Sequence, residues 1–197
     1  KTILLPRNIH PPSGLVPHTP QSEHFIFNLH ANFLMGGGDG TYVQGLHMQR
    51  VCRCVLQMLE LPSICFTALM KHMKGKCCDD QFDFETIQSM VVDMIPKSRT
   101  ARIFAILCNG RKRVSISALA PLIIAIIQRH RTLTAEIDNK LKRDRFIQFV
   151  CASICFELSK SRRLSLTFAE FSGGNLIGTL YTTTFLLEPS DDFVVTS

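Results

Sequence analysis

The sequence predicts a mainly α-helical fold assembled from helix–loop–helix repeats, and three observations carry that prediction. Apolar residues recur at helical spacing along most of the chain. Between Lys71 and Leu180 that spacing is broken three times by a short polar loop. Each loop holds one apolar residue inside it, at Phe82, Val114 and Leu166.

The elements follow in order. The first twenty residues carry five prolines, Pro6, Pro11, Pro12, Pro17 and Pro20, which fix φ and remove N–H donors, so residues 1–20 read as an extended arm. Residues 21–187 read as one helical domain. Phe25, Ile26, Leu29 and Phe33 follow helical spacing behind Ser22, a candidate cap, and Gly36, Gly37 and Gly38 end that segment. The glycine loop runs on through Asp39 and Gly40; with no Lys-Ser/Thr after it, it is a weak phosphate signal. Met48, Val51, Cys52, Val55 and Leu59 form the next helical face, stopped near Pro62, and a helix around Ile64 to Met73 leads into the first polar loop. Helices near Glu85 to Ile95 and Ala101 to Leu107 flank a break at Pro96. Leu119, Leu122, Ile123 and Ile126 form a strong stripe, with Pro121 expected in the first turn of its helix. Ile147, Val150, Cys151, Ile154 and Leu158 give the clearest amphipathic face, and a last helix begins near Thr167 and fades after Gly173 and Gly174. The tail 188–197 is polar and reads as a linker toward a missing C-terminal region.

The loops fit one template in outline and fail it in chemistry. A twelve-residue EF-hand loop presents oxygens at positions 1, 3, 5, 7, 9 and 12, with an apolar residue at position 8 that pairs with a neighbouring loop. Phe82 at position 8 places Gly75, Cys77, Asp79, Gln81, Asp83 and Thr86 at the ligand positions. Val114 there gives Leu107, Asn109, Arg111, Arg113, Ser115 and Ala118, with no carboxylate and two cations. Leu166 gives Ser159, Ser161, Arg163, Ser165, Thr167 and one correctly placed acid, Glu170. The expectation is therefore EF-hand-like pseudo-hands at about 66–95, 101–129 and 146–180 with degenerate calcium loops, no metal and no cofactor.

Composition narrows the function further. A chain of 197 residues with 46% hydrophobic residues can bury a real core. The longest apolar run, Ala118 to Ile127, contains Pro121 and is too short to span a bilayer. The chain starts at Lys1 with no secretory signal, which reads as an excised fragment. Its eight cysteines include no C-x-x-C pair and no zinc spacing, and most fall at apolar helix positions, pointing to a reduced, intracellular compartment. The net charge is +6, but the basic clusters sit in loops and helix ends without interleaved aromatics, a pattern of solvated termini rather than a nucleic-acid footprint. P-loop, nucleophile-elbow and metalloprotease motifs are missing, and the seven histidines read as surface or capping residues, so no enzyme is expected. Arg162-Arg163-Leu164-Ser165 reads as a basophilic kinase site with Ser165 as candidate phosphosite.

In order and spacing, several segments resemble the B-double-prime regulatory subunits of protein phosphatase 2A. Leu4-Leu5-Pro6-Arg7 is similar to the element that opens the family's conserved region, with Asn8, Ile9 and His10 in place of its aromatics. Phe84 to Met90, Arg102 to Leu107 and Ala118 to Leu122 resemble the stretches that follow. Arg145-Phe146-Ile147, Ile154-Cys155-Phe156, Leu166 to Phe171 and Asn175-Leu176 resemble the family's arginine-tyrosine-isoleucine helix and the degenerate hand after it. The resemblance implies a non-catalytic subunit that grips the helical-repeat scaffold and directs the catalytic subunit to substrates, with scaffold contacts at Leu5, Pro6, Arg7 and Ile9. The divergence is nearest to the branch that carries the phosphatase to centrosomes and the mitotic spindle, where centrosomal coiled-coil adaptors would be further partners. Two other readings stay open: an EF-hand-like adaptor that takes a helical peptide, and a basic nucleic-acid binder whose affinity would fall steeply with salt.

Overall fold

The computed structural model of the chain describes residues 26–27, 29–31, 42–43, 46–76, 82–137, 139–160, 163–174, 176 and 178. They are mainly helical: α1 (Leu46–Met58), a 3-10 turn (Ser63–Cys65), α2 (Phe66–Lys74), α3 (Phe84–Met94), α4 (Arg99–Cys108), α5 (Ile116–Arg129), α6 (Arg131–Glu136), α7 (Lys140–Leu158) and α8 (Phe168–Gly173). Residues 26, 27 and 29–31 are helical as well.

Caps fix where these helices begin. Asp83 accepts from the Thr86 N–H at 2.7 Å to start α3, and Ser98 accepts from the Ala101 N–H to start α4. Asn139 does the same for α7 through the Leu141 N–H, and Thr167 with Glu170 forms a capping box at α8. The short helix α6, which helical spacing alone did not reveal, is capped by His130, whose Nδ1 accepts from the Leu133 N–H. At the other end, Asn109 adopts the left-handed conformation (φ 46°) and closes α4, with Gly110 following at φ 81°. The Asn109 amide lies over the end of α2, so close that a Cβ on Gly75 would meet its Nδ2 at 2.8 Å.

Four two-residue strands, β1 (Tyr42–Val43), β2 (Phe82–Asp83), β3 (Val114–Ser115) and β4 (Ser165–Leu166), each lead into a helix. They pair as β1 with β2 and β3 with β4, both antiparallel. The register sets Val43 opposite Phe82, Tyr42 opposite Asp83, Val114 opposite Leu166 and Ser115 opposite Ser165. The apolar loop residues Phe82, Val114 and Leu166 are therefore the residues that pair between loops. Three loops would leave one without a mate; the mate of Phe82 is Val43, just beyond the glycine-rich stretch that the sequence offered only as a weak phosphate signal. The described residues thus form two pairs of helix–strand–helix units.

One core joins both pairs. Leu59, Ile64, Leu69, Met73 and Ile87 are fully buried with Ile103, Leu119, Leu122, Val114, Leu166 and Phe171 in the same cluster. The most extensive helix contact is α5 against α7, while α2 touches both α4 and α5. Two expectations are corrected here. Pro121 lies inside α5, which begins at Ile116, and not in its first turn. The carbonyl that loses its N–H partner belongs to Ser117, which is exposed, so solvent can take the acceptor. The helix α7 is also not one-sided: Ile147, Cys151 and Cys155 are buried, but Phe149 and Phe156 on the opposite side are 70% and 65% exposed. Among the described residues no helix is long and apolar enough to cross a membrane.

Candidate functional site

The loop pair joined by β3 and β4 holds the densest polar network. Arg113, the seventh residue of its loop, reaches across the strand pair. Its Nε donates to Ser165 Oγ at 2.8 Å, and Nη2 donates to the Ser165 carbonyl at 2.8 Å and to Glu170 Oε2 at 3.3 Å. Glu170 is the twelfth residue of the partner loop, and its side chain is only 9% exposed. Three further donors complete its shell: the Thr167 N–H and hydroxyl at 2.8 Å on Oε2, and the Lys160 N–H at 3.0 Å on Oε1.

The position at which an EF-hand loop would present a bidentate carboxylate to calcium is therefore already satisfied from within the protein. One guanidinium and two backbone N–H groups stand on the carboxylate oxygens where a cation would sit. This donor set does not fit a hard divalent ion, which needs several anionic or carbonyl oxygens converging on one point. Among the described residues no group of three His, Cys, Asp or Glu side chains is placed to hold a metal. In the β2 loop the Asp83 carboxylate caps α3 instead.

Hydrogen bonding holds the Glu170 carboxyl down at about 2, from an ordinary 4.5; the Thr167 N–H is the largest cause, followed by its hydroxyl, the Lys160 N–H and Arg113. Because the folded value is depressed, the stabilisation is fully present above pH 4.5 and is lost as pH falls from there toward 2. Thermal melts of the wild type and Glu170→Gln should therefore differ most at neutral pH and converge as pH falls through that window. A gap that stays constant with pH would show that the ionised carboxylate is not what holds the loops.

A second arginine welds the two loop pairs together. Arg102 on α4 donates from Nε to the Met94 carbonyl at 3.0 Å, from Nη1 to Leu59 at 2.7 Å and from Nη2 to Ile95 at 2.6 Å. These carbonyls lie at the ends of α1 and α3, where helix acceptors lack the usual intrahelical partner; the Met94 carbonyl also accepts from the Lys97 N–H at 3.0 Å. Arg99 adds a more exposed ion pair to Glu60 at 2.8 Å.

Of the residues that the sequence singled out, Ser165 lies in β4, half-buried, with its hydroxyl already accepting from Arg113. Leu5, Pro6, Arg7 and Ile9 lie outside the described residues. The histidines divide: His130 is a cap, but His72 is buried in the core side of α2, and its desolvation is the first cause of a pKa lowered to about 4. Burial likewise pushes the Cys52 and Cys65 thiols up to about 12 and those of Cys108 and Cys151 to about 11, which keeps them protonated and unreactive. Sequence reasoning missed both arginine clasps. The one available signal was Arg113 at position 7 facing Glu170 at position 12 of a loop able to pair with it.

No family model matches the chain, and no curated protein matches it.

Proposed function

We propose that the two pairs of helix–strand–helix units are paired EF-hand-like units that have exchanged calcium for internal hydrogen bonds. On this reading the chain is a non-catalytic regulatory subunit of protein phosphatase 2A of the B-double-prime type. The observation that carries it is the strand register. Val114 pairs with Leu166, one position 8 against another as the EF-hand template requires, and Phe82, the third position 8, pairs with Val43 in the same antiparallel manner. Leu166 to Phe171, the stretch with the strongest resemblance to the family's degenerate hand, forms β4 and α8 at that register.

Such a subunit contributes tethering and not chemistry. Bound to the scaffold, it would hold a substrate near the catalytic subunit and raise its effective concentration, to about millimolar with a short linkage. The Arg113–Glu170 clasp supports a unit whose shape does not wait for calcium. A cytoplasmic role, with recruitment to centrosomes or the spindle, follows from the family resemblance alone. A second reading, a free-standing adaptor, is favoured by the exposed Phe149 and Phe156, which share one face of α7, because apolar patches of this kind mark protein contacts.

The test is size-exclusion co-elution of the chain with the purified scaffold and catalytic core, with and without a calcium chelator. Co-elution that the chelator leaves unchanged is expected. Failure to co-elute, with a C-terminal extension present as well as without it, would sink the phosphatase reading and favour the adaptor.

A further inference from the structure

A cleft of about 640 Å³ opens between the end of α2, the length of α3 and the far end of α4. It lies where the first pair of units meets the second. Its floor is apolar and soft: Met90 and Met94 are buried, and Phe104 is half-buried beside them. Methionine side chains reshape readily around an incoming group, so this floor suits an aliphatic or aromatic side chain without demanding one shape.

The rim is charged. Lys76, Lys97 and Arg111 come from three different segments, namely the end of α2, the link between α3 and α4, and the turn after α4. The carboxylates on the rim, Glu85 and Asp93, both sit on α3. All five are exposed, and no ion pair joins any two of them. The cations also converge. After desolvation, Lys76 and Lys97 are among the causes that disfavour the charged form of His72, which lines the cleft, while the neighbouring Asn109 amide acts the other way. His72 is 4% exposed, and its Nδ1 has no hydrogen-bond partner. The inner end of the cleft thus lies within reach of both lysines.

We propose that this cleft docks an acidic amphipathic peptide segment of a partner protein, its apolar side chains on the Met90, Met94 and Phe104 floor and its carboxylates facing Lys76, Lys97 and Arg111. Volume and composition both support this occupant. A cleft of this size lies within the usual range for ligand sites, and a small inorganic anion would leave the apolar floor wet. A flat anionic membrane could not reach that floor and would meet Glu85 and Asp93 on the α3 wall. The cleft is small beside a standard protein interface, so the expected affinity is micromolar. The proposal stands apart from the phosphatase reading, since it needs only the cleft and survives if the scaffold does not bind.

The test uses the whole chain and a synthetic amphipathic peptide of about fifteen residues with Leu and Phe on one face and Glu on the other. Fluorescence anisotropy should give saturable binding, and Lys97→Glu with Arg111→Glu should weaken it about tenfold or more while leaving the melting temperature near wild type. Methyl NMR should show Met90 and Met94 shifting on titration, with Met58 and Met70 still. The proposal is overturned if a peptide with Lys in place of Glu binds equally well, if charge reversal changes nothing, or if phosphatidylserine vesicles bind where the peptide does not.

Discussion

Phe171→Ala is expected to lower the unfolding free energy by about 3–5 kcal/mol, the range for deleting a buried aromatic ring. Phe171 is fully buried, and its ring lies 5.5 Å from that of Phe104, which Phe168 also meets at 5.2 Å in an edge-on arrangement. These rings fasten the short helix α8 to α4. The consequence reaches the loop network, because Glu170 sits on α8 next to Phe171. Losing the ring should let α8 lift, and amide exchange at Lys160 and Thr167, both held by the Glu170 carboxylate, should accelerate more than exchange in α5. Phe171→Leu keeps much of the volume and should lose far less. Equal exchange rates in the two regions, or a loss under about 1 kcal/mol, would show that α8 is held by something other than this aromatic contact.

Arg102→Ala is expected to cost about 2–4 kcal/mol, seen as a lower urea midpoint with little change in slope. The Leu59 and Ile95 carbonyls lose the guanidinium, the Met94 carbonyl keeps only the Lys97 N–H, and Leu59 is fully buried. Water cannot easily replace the guanidinium there. Arg102→Lys should recover little, since an ammonium cannot reproduce a planar fork that serves three acceptors at once. If lysine restores full stability, the clasp is a matter of charge alone and not of geometry.

The residues explain which parts of this fold were legible. An apolar residue inside a polar loop has few places to go, so Phe82, Val114 and Leu166 announced the strand pairing by their positions alone. Val43 did not, because the glycines before it resemble a flexible turn and the loop lacks the acids that draw attention to such a site. The outward side of α7 was hidden by averaging: Ile147 and Cys151 make one stripe, Phe149 and Phe156 an opposing one, and spacing analysis rewards the first without flagging the second. Arg102 and Arg113 were illegible for another reason. Their partners lie up to 43 and 57 residues away, and an arginine does not declare its acceptor in local pattern. Cavities such as the cleft at Met90 and Met94 depend on how helices meet, which periodicity does not encode.

The clasp between paired loops also sets a schedule for synthesis. When Arg113 leaves the ribosome, Ser165 is still 52 residues away and Glu170 is 57. At roughly 5–20 residues per second, the nascent loop waits on the order of 3–11 seconds with its guanidinium and strand edge open. The first pair can close earlier, since both of its strands precede Arg113. Assembly on the ribosome therefore runs in two stages, and a chain stalled before Leu166 would present Val114 and Ser115 as an unmatched strand to whatever nascent chain lies beside it.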